Sequence, residues 1–361
     1  MVMKSSGEDA YFVASNSAFG FYSYYPQCFD SDRVQHVYAI KGGPGTGKSR
    51  FMREIAACAE ARGWHVEYVY CSSDADSLDG VILSGDGRCI ALLDATAPHV
   101  YEPTSPGVRE EIVNLGDFWD SEILSLHAEE IAAWNAEKKK AYRMAYRYLA
   151  AYAEMSANRD ELVSPYMRVS AMEQYVEKLL FDVPRGAVFS HSPALIRSVG
   201  MRGLVAYDTY FAEAKKIFLV EDCRGSAQYF MRLLYQMTER KRWKIRVSHD
   251  PILPERIDGI FLCESGLAFV VGRGEECAYP YKKVGTRRFV DTASMKGIKT
   301  SLNHAEQMCR AMLGGAVDAL ERVRDVHFKI EDLYIASMDF QAKEAFTKSF
   351  CEKLFPLQNE T

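Results

Sequence analysis

The chain has 361 residues, 26% charged and 48% hydrophobic, which is ordinary for a globular protein and too long for one compact core, so two domains or more are expected. Its net charge of −5 divides into −9 over residues 1–180 and +4 over 181–361, and neither half has the basic excess of a dedicated nucleic-acid binder. No stretch of about 18 apolar residues occurs, Ile257 to Val271 being broken by Glu264 and Gly266, which excludes a membrane-spanning helix.

The first residues, Met1 to Phe12, lack the apolar core of a signal peptide. The nine cysteines form no C-x-x-C pair and are odd in number, which points to a reducing compartment with buried thiols, so the expected location is cytoplasmic.

A short apolar run, Val37 to Ile40, reads as a buried strand, and Gly42-Gly-Pro-Gly-Thr-Gly-Lys-Ser49 after it fits the P-loop spacing. Phe51, Met52, Ile55, Cys58 and Ala59 then recur at helical spacing, so strand, loop and helix stand in the required order. Gly43, Gly45, Thr46 and Gly47 would let backbone N–H groups turn around an anion at the helix N-terminus. Lys48 would reach the β- and γ-phosphates of ATP, and Ser49 would ligate Mg²⁺.

Strand His65 to Tyr70 leads to the loop Cys71-Ser-Ser-Asp-Ala-Asp76. The apolar segment Cys89 to Asp94 reads as a strand ending in a carboxylate at the ligand-facing sheet edge, so Asp94 is the expected Walker B aspartate and second metal ligand. Residue 95 is Ala, so the glutamate that often follows this aspartate is missing. A base must come from elsewhere, and Asp74 and Asp76 rank ahead of Glu67, whose mid-strand position suits an exposed edge.

From Asp120 to about Phe181 the composition is helical, with Tyr142, Ala145, Tyr146, Leu149 and Tyr152 on one face and a break at Ser164-Pro165. Shifting the sequence by 179 residues then aligns it with itself. Nine positions between 51 and 87 are identical, among them Phe51/Phe230, Trp64/Trp243, Asp79/Asp258 and Gly80/Gly259. Lys216 to Val220 matches the first strand, but Glu221-Asp-Cys-Arg-Gly-Ser-Ala-Gln228 replaces the phosphate loop, and at constant shift Arg273 faces Asp94. The second copy should repel a triphosphate. Asp79 and Gly80 occur in both copies and read as a structural turn, whereas Asp74, Asp76, Thr96 and His99 are confined to the first and are better functional candidates. Arg224 and Arg273 are candidates for an arginine finger completing the first site. The basic run Arg240 to Arg246 reads as a solvated helix end entering an edge strand.

Ala316, Leu320, Val323, His327, Ile330 and Tyr334 form a coiled-coil-like seam after an expected break at Gly314-Gly315. The two helical regions are expected to pack on each other or on a partner chain. The fold expected is α/β, a P-loop NTPase domain duplicated in tandem with parallel sheets flanked by helices. Its parts would be residues 1–118 with intact Walker A and B, a helical linker at 119–183, a degenerate copy at 184–290 and a helical region at 291–361.

Lys41 to Ser49, Cys71 to Val81, Asp94 to His99, Asn114 to Trp119 and Tyr334 to Phe340 together resemble a family of bacterial ATPase-like proteins with tandem P-loop domains. The resemblance implies ATP binding at Gly45, Thr46, Gly47, Lys48 and Ser49, and this chain departs from it at Ala227 and Arg273. An ATPase or ATP-driven switch is the function expected, with Lys48, Asp94, Asp74 and Asp76 as catalytic candidates. The alternatives are a small-molecule kinase using Asp74 or Asp76 as base, and a nucleotide-stabilised binding module without turnover.

Overall fold

In the computed structural model, which describes residues 2–3, 9–99 and 101–356, each half of the chain builds one six-stranded sheet. The opening segment read for a leader lies partly outside the described residues. The first half contains β1 (Val2–Met3), β2 (Asp9–Phe12), the hairpin β3 (Ala14–Ser17) and β4 (Gly20–Ser23), α1 (Tyr25–Cys28), β5 (His36–Lys41) and α2 (Lys48–Glu60). It continues through β6 (His65–Tyr70), β7 (Leu78–Gly85), β8 (Arg88–Asp94) and β9 (Glu110–Asn114), giving the sheet order β2-β6-β7-β8-β5-β9. Helices α3 (Ser121–Leu126), α4 (Ala128–Val163) and α5 (Val169–Leu179) follow.

The second half repeats the plan. It runs through β10 (Ser190–Pro193), β11 (Arg197–Gly200), β12 (Gly203–Tyr207), α6 (Thr209–Glu213), β13 (Lys216–Glu221), α7 (Ala227–Lys241) and β14 (Lys244–His249). Then come β15 (Ile257–Leu262), β16 (Leu267–Val271), β17 (Tyr281–Gly285), α8 (Lys299–Ala336) and α9 (Phe340–Leu354), with sheet order β10-β14-β15-β16-β13-β17.

The sheets are mixed rather than parallel. β7 runs antiparallel to β6 and β8, and β15 to β14 and β16. The reason is local: Asp86 and Gly87, at φ 50° and 72°, join β7 to β8 in a two-residue turn that leaves no room for a crossover helix. Strand register also corrects the alignment of the copies. Ile40 pairs with Asp94 and Val220 with Val271, so Asp94 corresponds to Val271 and Arg273 to Thr96, because the second hairpin is two residues shorter. Neither β6 nor β14 is an edge strand, since β2 and β10 lie outside them.

The likeness between the two halves extends beyond the matched segment. Phe12 and Leu195 exchange two backbone hydrogen bonds of 2.8 and 2.9 Å where the halves meet. Past the sheets the halves trade their last helices. Asp339 N donates to Phe118 O at 2.7 Å and Arg168 N to Phe289 O at 2.8 Å, so α9 returns to the first unit while α5 joins the second. Phe346 and Phe350 of α9 then pack on Phe51 of α2, and Tyr175 of α5 packs on Phe230 of α7.

The long helices α4 and α8 pack on each other through Ala145, Leu149, Ala316, Leu320 and Val323, all buried. The expected break at Gly314-Gly315 is absent, α8 being continuous. A Cβ on Gly315 would lie 2.8 Å from the Tyr148 ring, so this glycine serves close approach of two helices rather than a turn. Cys58 of α2 and Cys351 of α9 form a disulfide, in place of the unpaired thiols expected, because the return of α9 brings residues 293 apart to a Cα separation of 6.7 Å. Among the described residues no helix is long and apolar enough to cross a membrane.

Candidate functional site

The loop 42–47 leaves the C-terminal end of β5 and delivers the chain into α2, whose N-cap, Gly47, has no side chain to offer the first-turn amides. Lys48 Nζ donates to Gly42 O and Gly43 O at 2.8 Å each and stands 3.5 Å from Asp94 Oδ2. Thr96 ties the neighbouring strand end to the loop, its hydroxyl donating to Gly42 O at 3.0 Å and its amide to Asp94 Oδ1 at 2.8 Å. Ser49 Oγ accepts from Leu78 N at 3.0 Å, which engages one of its two lone pairs, and Ser49 lines the cleft. The loop is also closely covered. A Cβ on Gly43 would come within 2.6 Å of the Tyr334 ring, and one on Gly45, at φ 73°, within 2.7 Å of Glu331 O.

These groups line a cleft of about 400 Å³. Gly43, Gly45, Thr46, Gly47, Lys48 and Ser49 form one wall, and Asp74, Asp94, Thr96 and His99 stand on others, so most of the residues singled out in the sequence meet here. Asp76 does not line the cleft and forms an ion pair with Arg202 at the rim. Asp74 is 3.8 Å from Arg202 Nε, and burial raises its carboxyl. Glu67, read as edge-exposed, lies inside the sheet and accepts from Tyr11 Oη at 2.7 Å and from Arg33. Although burial raises its carboxyl, Arg33 and that hydrogen bond hold it below the ordinary value.

The roof of the cleft comes from the long paired helices α4 and α8. Lys138 of α4 and His327 and Glu331 of α8 face the loop, and Lys138 Nζ lies 3.0 Å from His327 Nδ1. Burial, then Lys138 and Lys48, push His327 down to about 4, so at neutral pH the neutral ring accepts from the lysine. Neither Arg224 nor Arg273 lines this cleft, and Arg224 pairs with Glu306 at 3.2 Å. The cation facing Lys48 is thus a lysine inside a helix, hidden in the run Lys138-Lys-Lys140.

On the cleft floor, ligand atoms of Cys71, Asp79 and His99 lie within 4.8 Å of one another. His99 Nε2 is 3.2 Å from Asp79 Oδ2, both residues are buried, and His99 Nδ1 has no hydrogen-bond partner among the described residues. The ring is held by Tyr25, stacked at 5.4 Å, and by the edge of Phe21 at 5.1 Å. Burial pushes Asp79 up to about 6 against the pull of His99. Asp79 therefore lines the cleft, where its recurrence as Asp258 had pointed to a turn alone.

The corresponding region of the second unit is a cavity of about 880 Å³ lined by Glu221, Asp222, Asp250, Asp258 and Arg273 among others. Its loop fills itself. Asp222 accepts from Gly225 N and Ala227 N at 2.8 Å each, so a carboxylate sits on the amides at the start of α7. Asp258 forms an ion pair with Arg197 at 3.1 Å, and burial still pushes it up to about 6. In the basic run, Trp243 is buried with its indole N–H on Pro184 O, and Arg246 is paired to Asp9 and Glu213.

Comparison with protein-family models, with curated proteins and with solved structures finds no match to the chain.

Proposed function

We propose that the first unit binds Mg²⁺-ATP over the loop 42–49 and acts as an ATPase or ATP-driven switch, with α4 and α8 as the responding element and the cytoplasm as its place of work. What carries the reading is the convergence of Lys48, at the start of α2, and Asp94, at the end of β8, 3.5 Å apart behind the side-chain-free N-cap Gly47 and inside a cleft of about 400 Å³. In this reading the backbone N–H groups of Gly43, Gly45, Thr46 and Gly47 bind the phosphates, and Lys48 balances charge on the β- and γ-phosphates. Ser49 Oγ and Asp94 are the residues that would hold Mg²⁺, an oxygen-preferring ion whose role when bound is to neutralise charge on the same phosphates. Asp74 lines the cleft and orients the attacking water, while Asp76 acts from the rim through the shared Arg202. Lys138 supplies the positive charge that Arg224 or Arg273 was expected to bring from the second copy.

Calorimetry with ATP and Mg²⁺ tests the reading. The parent chain should bind one ATP, and Lys48→Ala should bind none measurably while keeping its melting temperature. Equal affinity in both sinks the proposal. Phosphate release from ATP alone identifies an ATPase, transfer only to an added acceptor identifies the kinase alternative, and tight binding without turnover identifies the binding module.

A further inference from the structure

The Cys71, Asp79 and His99 cluster is not explained by nucleotide binding, and the second unit shows what a purely structural solution at the same carboxylate looks like. There Asp258 is paired to Arg197. Through the Phe12–Leu195 contact, Arg197 corresponds to Ala14, so the first unit has no arginine at that position. At the place of Asp250, two residues beyond the strand pairing of Ser248 with Gly259, it has Cys71 instead. An imidazole whose buried Nδ1 has no hydrogen-bond partner among the described residues completes the group. The first unit thus lacks the paired arginine and gathers a thiol and an imidazole around a buried carboxylate.

We propose that Cys71, Asp79 and His99 bind a zinc-class transition-metal ion, leaving a coordination position open to the cleft. A tetrahedral ion with bonds of about 2.0 to 2.3 Å separates its ligand atoms by roughly 3.3 to 3.8 Å. The 3.2 Å between His99 Nε2 and Asp79 Oδ2, and the 4.8 Å limit on the whole set, lie within a small side-chain adjustment of that geometry. The donor set favours the same class. Thiolate and imidazole select zinc, cobalt or iron, whereas Mg²⁺ prefers oxygen ligands, so this site is chemically distinct from the one at Ser49 and Asp94. Three protein ligands with one vacancy are the arrangement of zinc sites that take a water or a substrate atom. On binding, the ion replaces the thiol proton, which leaves to solvent, and the metal–sulfur bond takes its place.

The experiment uses the full chain, chelator-treated, without nucleotide, titrated with Co²⁺ and then with Zn²⁺. Because no ATP is present, its outcome is independent of the ATP reading. The result expected is one Co²⁺ per chain, with the intense near-ultraviolet band of a sulfur-to-cobalt transfer and the visible bands of four-coordinate cobalt, both abolished by Zn²⁺. Cys71→Ser should remove the sulfur band, and His99→Gln should weaken binding by about 100-fold or more. In the unaltered chain, Zn²⁺ should protect Cys71 from alkylation, read by mass spectrometry, which keeps the proposal testable if a variant misfolds. Absence of the sulfur band, its survival in a folded Cys71→Ser variant, or equal alkylation of Cys71 with and without Zn²⁺ overturns the site and leaves a simple Asp79–His99 hydrogen bond beside a neutral thiol.

Discussion

At the start of α2 the N-cap is Gly47, which has no side chain to offer the first amides, whereas at the start of α7 Asp222 accepts from Ala227 N and from Gly225 N in the loop before it, at 2.8 Å each. Both loops leave the same place on homologous strands, and the register of β5 on β9 and of β13 on β17 shows that the second loop is one residue shorter. One loop keeps its donors available to an anion, and the other spends them on its own carboxylate. Loss of the lysine, then, is one of three linked changes: the loop shortened, an acid moved in, and a residue with a short apolar side chain, Ala227, took the place of Lys48. A single reversion restores none of the other two.

The largest effect that tests this contrast is on affinity. Lys48→Ala should weaken ATP binding by at least about 100-fold, roughly 2.7 kcal/mol, whereas Ala227→Lys should add no second site. A stoichiometry of two ATP per chain, in either form, breaks the comparison.

The buried carboxylates give the next effect, on stability. Asp258 rises from 3.8 to about 6 on folding because burial outweighs Arg197. Below the unfolded value both states are protonated and nothing is lost; between the two values the folded chain retains a proton that the unfolded chain has released. Stability should therefore fall as pH rises from about 4 to about 6, by up to roughly 3 kcal/mol from this group, and then level off. Asp258→Asn should remove that component, measured as the difference between variant and parent in urea denaturation across the interval. An unchanged difference at every pH refutes it.

A smaller change is expected at the metal side. Asp94→Asn should lower ATP affinity about tenfold, roughly 1.4 kcal/mol, with Mg²⁺ present and much less without it. An equal loss in both conditions takes Asp94 off the metal. The smallest concerns Arg224, which is engaged with Glu306 in the second unit. Arg224→Ala should change kcat by less than about twofold, and a tenfold fall would bring the arginine finger back.

Local chemistry was legible in the sequence and packing was not. The strand, loop and helix around Lys48 are continuous in sequence, and Asp94 ends an apolar strand, so period and spacing sufficed to bring them together. The internal repeat was visible because Phe51, Trp64 and Asp79 recur at one shift, but a constant shift misplaced Arg273, since the second hairpin is two residues shorter. Lys138 and His327 lie 189 residues apart and meet only because α4 and α8 run side by side, a pairing that heptad spacing announces without fixing its register. Gly315 misled for a related reason: a glycine that ends a helix and one that admits a neighbouring ring have the same local signature, and only Tyr148 distinguishes them. Asp79 was discounted because its twin survives in the second unit, though a shared carboxylate with different neighbours does different work.

The traded helices α5 and α9 carry a consequence for how such a chain diverges. Exchange of identical end segments is the way two separate copies of a protein hold each other. In a pair encoded by one gene, a substitution that ruins one centre ruins both, so neither can be given up. Written as one polypeptide, the copies stay bound through their exchanged ends while each accumulates its own changes, and one partner is free to become scaffold for the other.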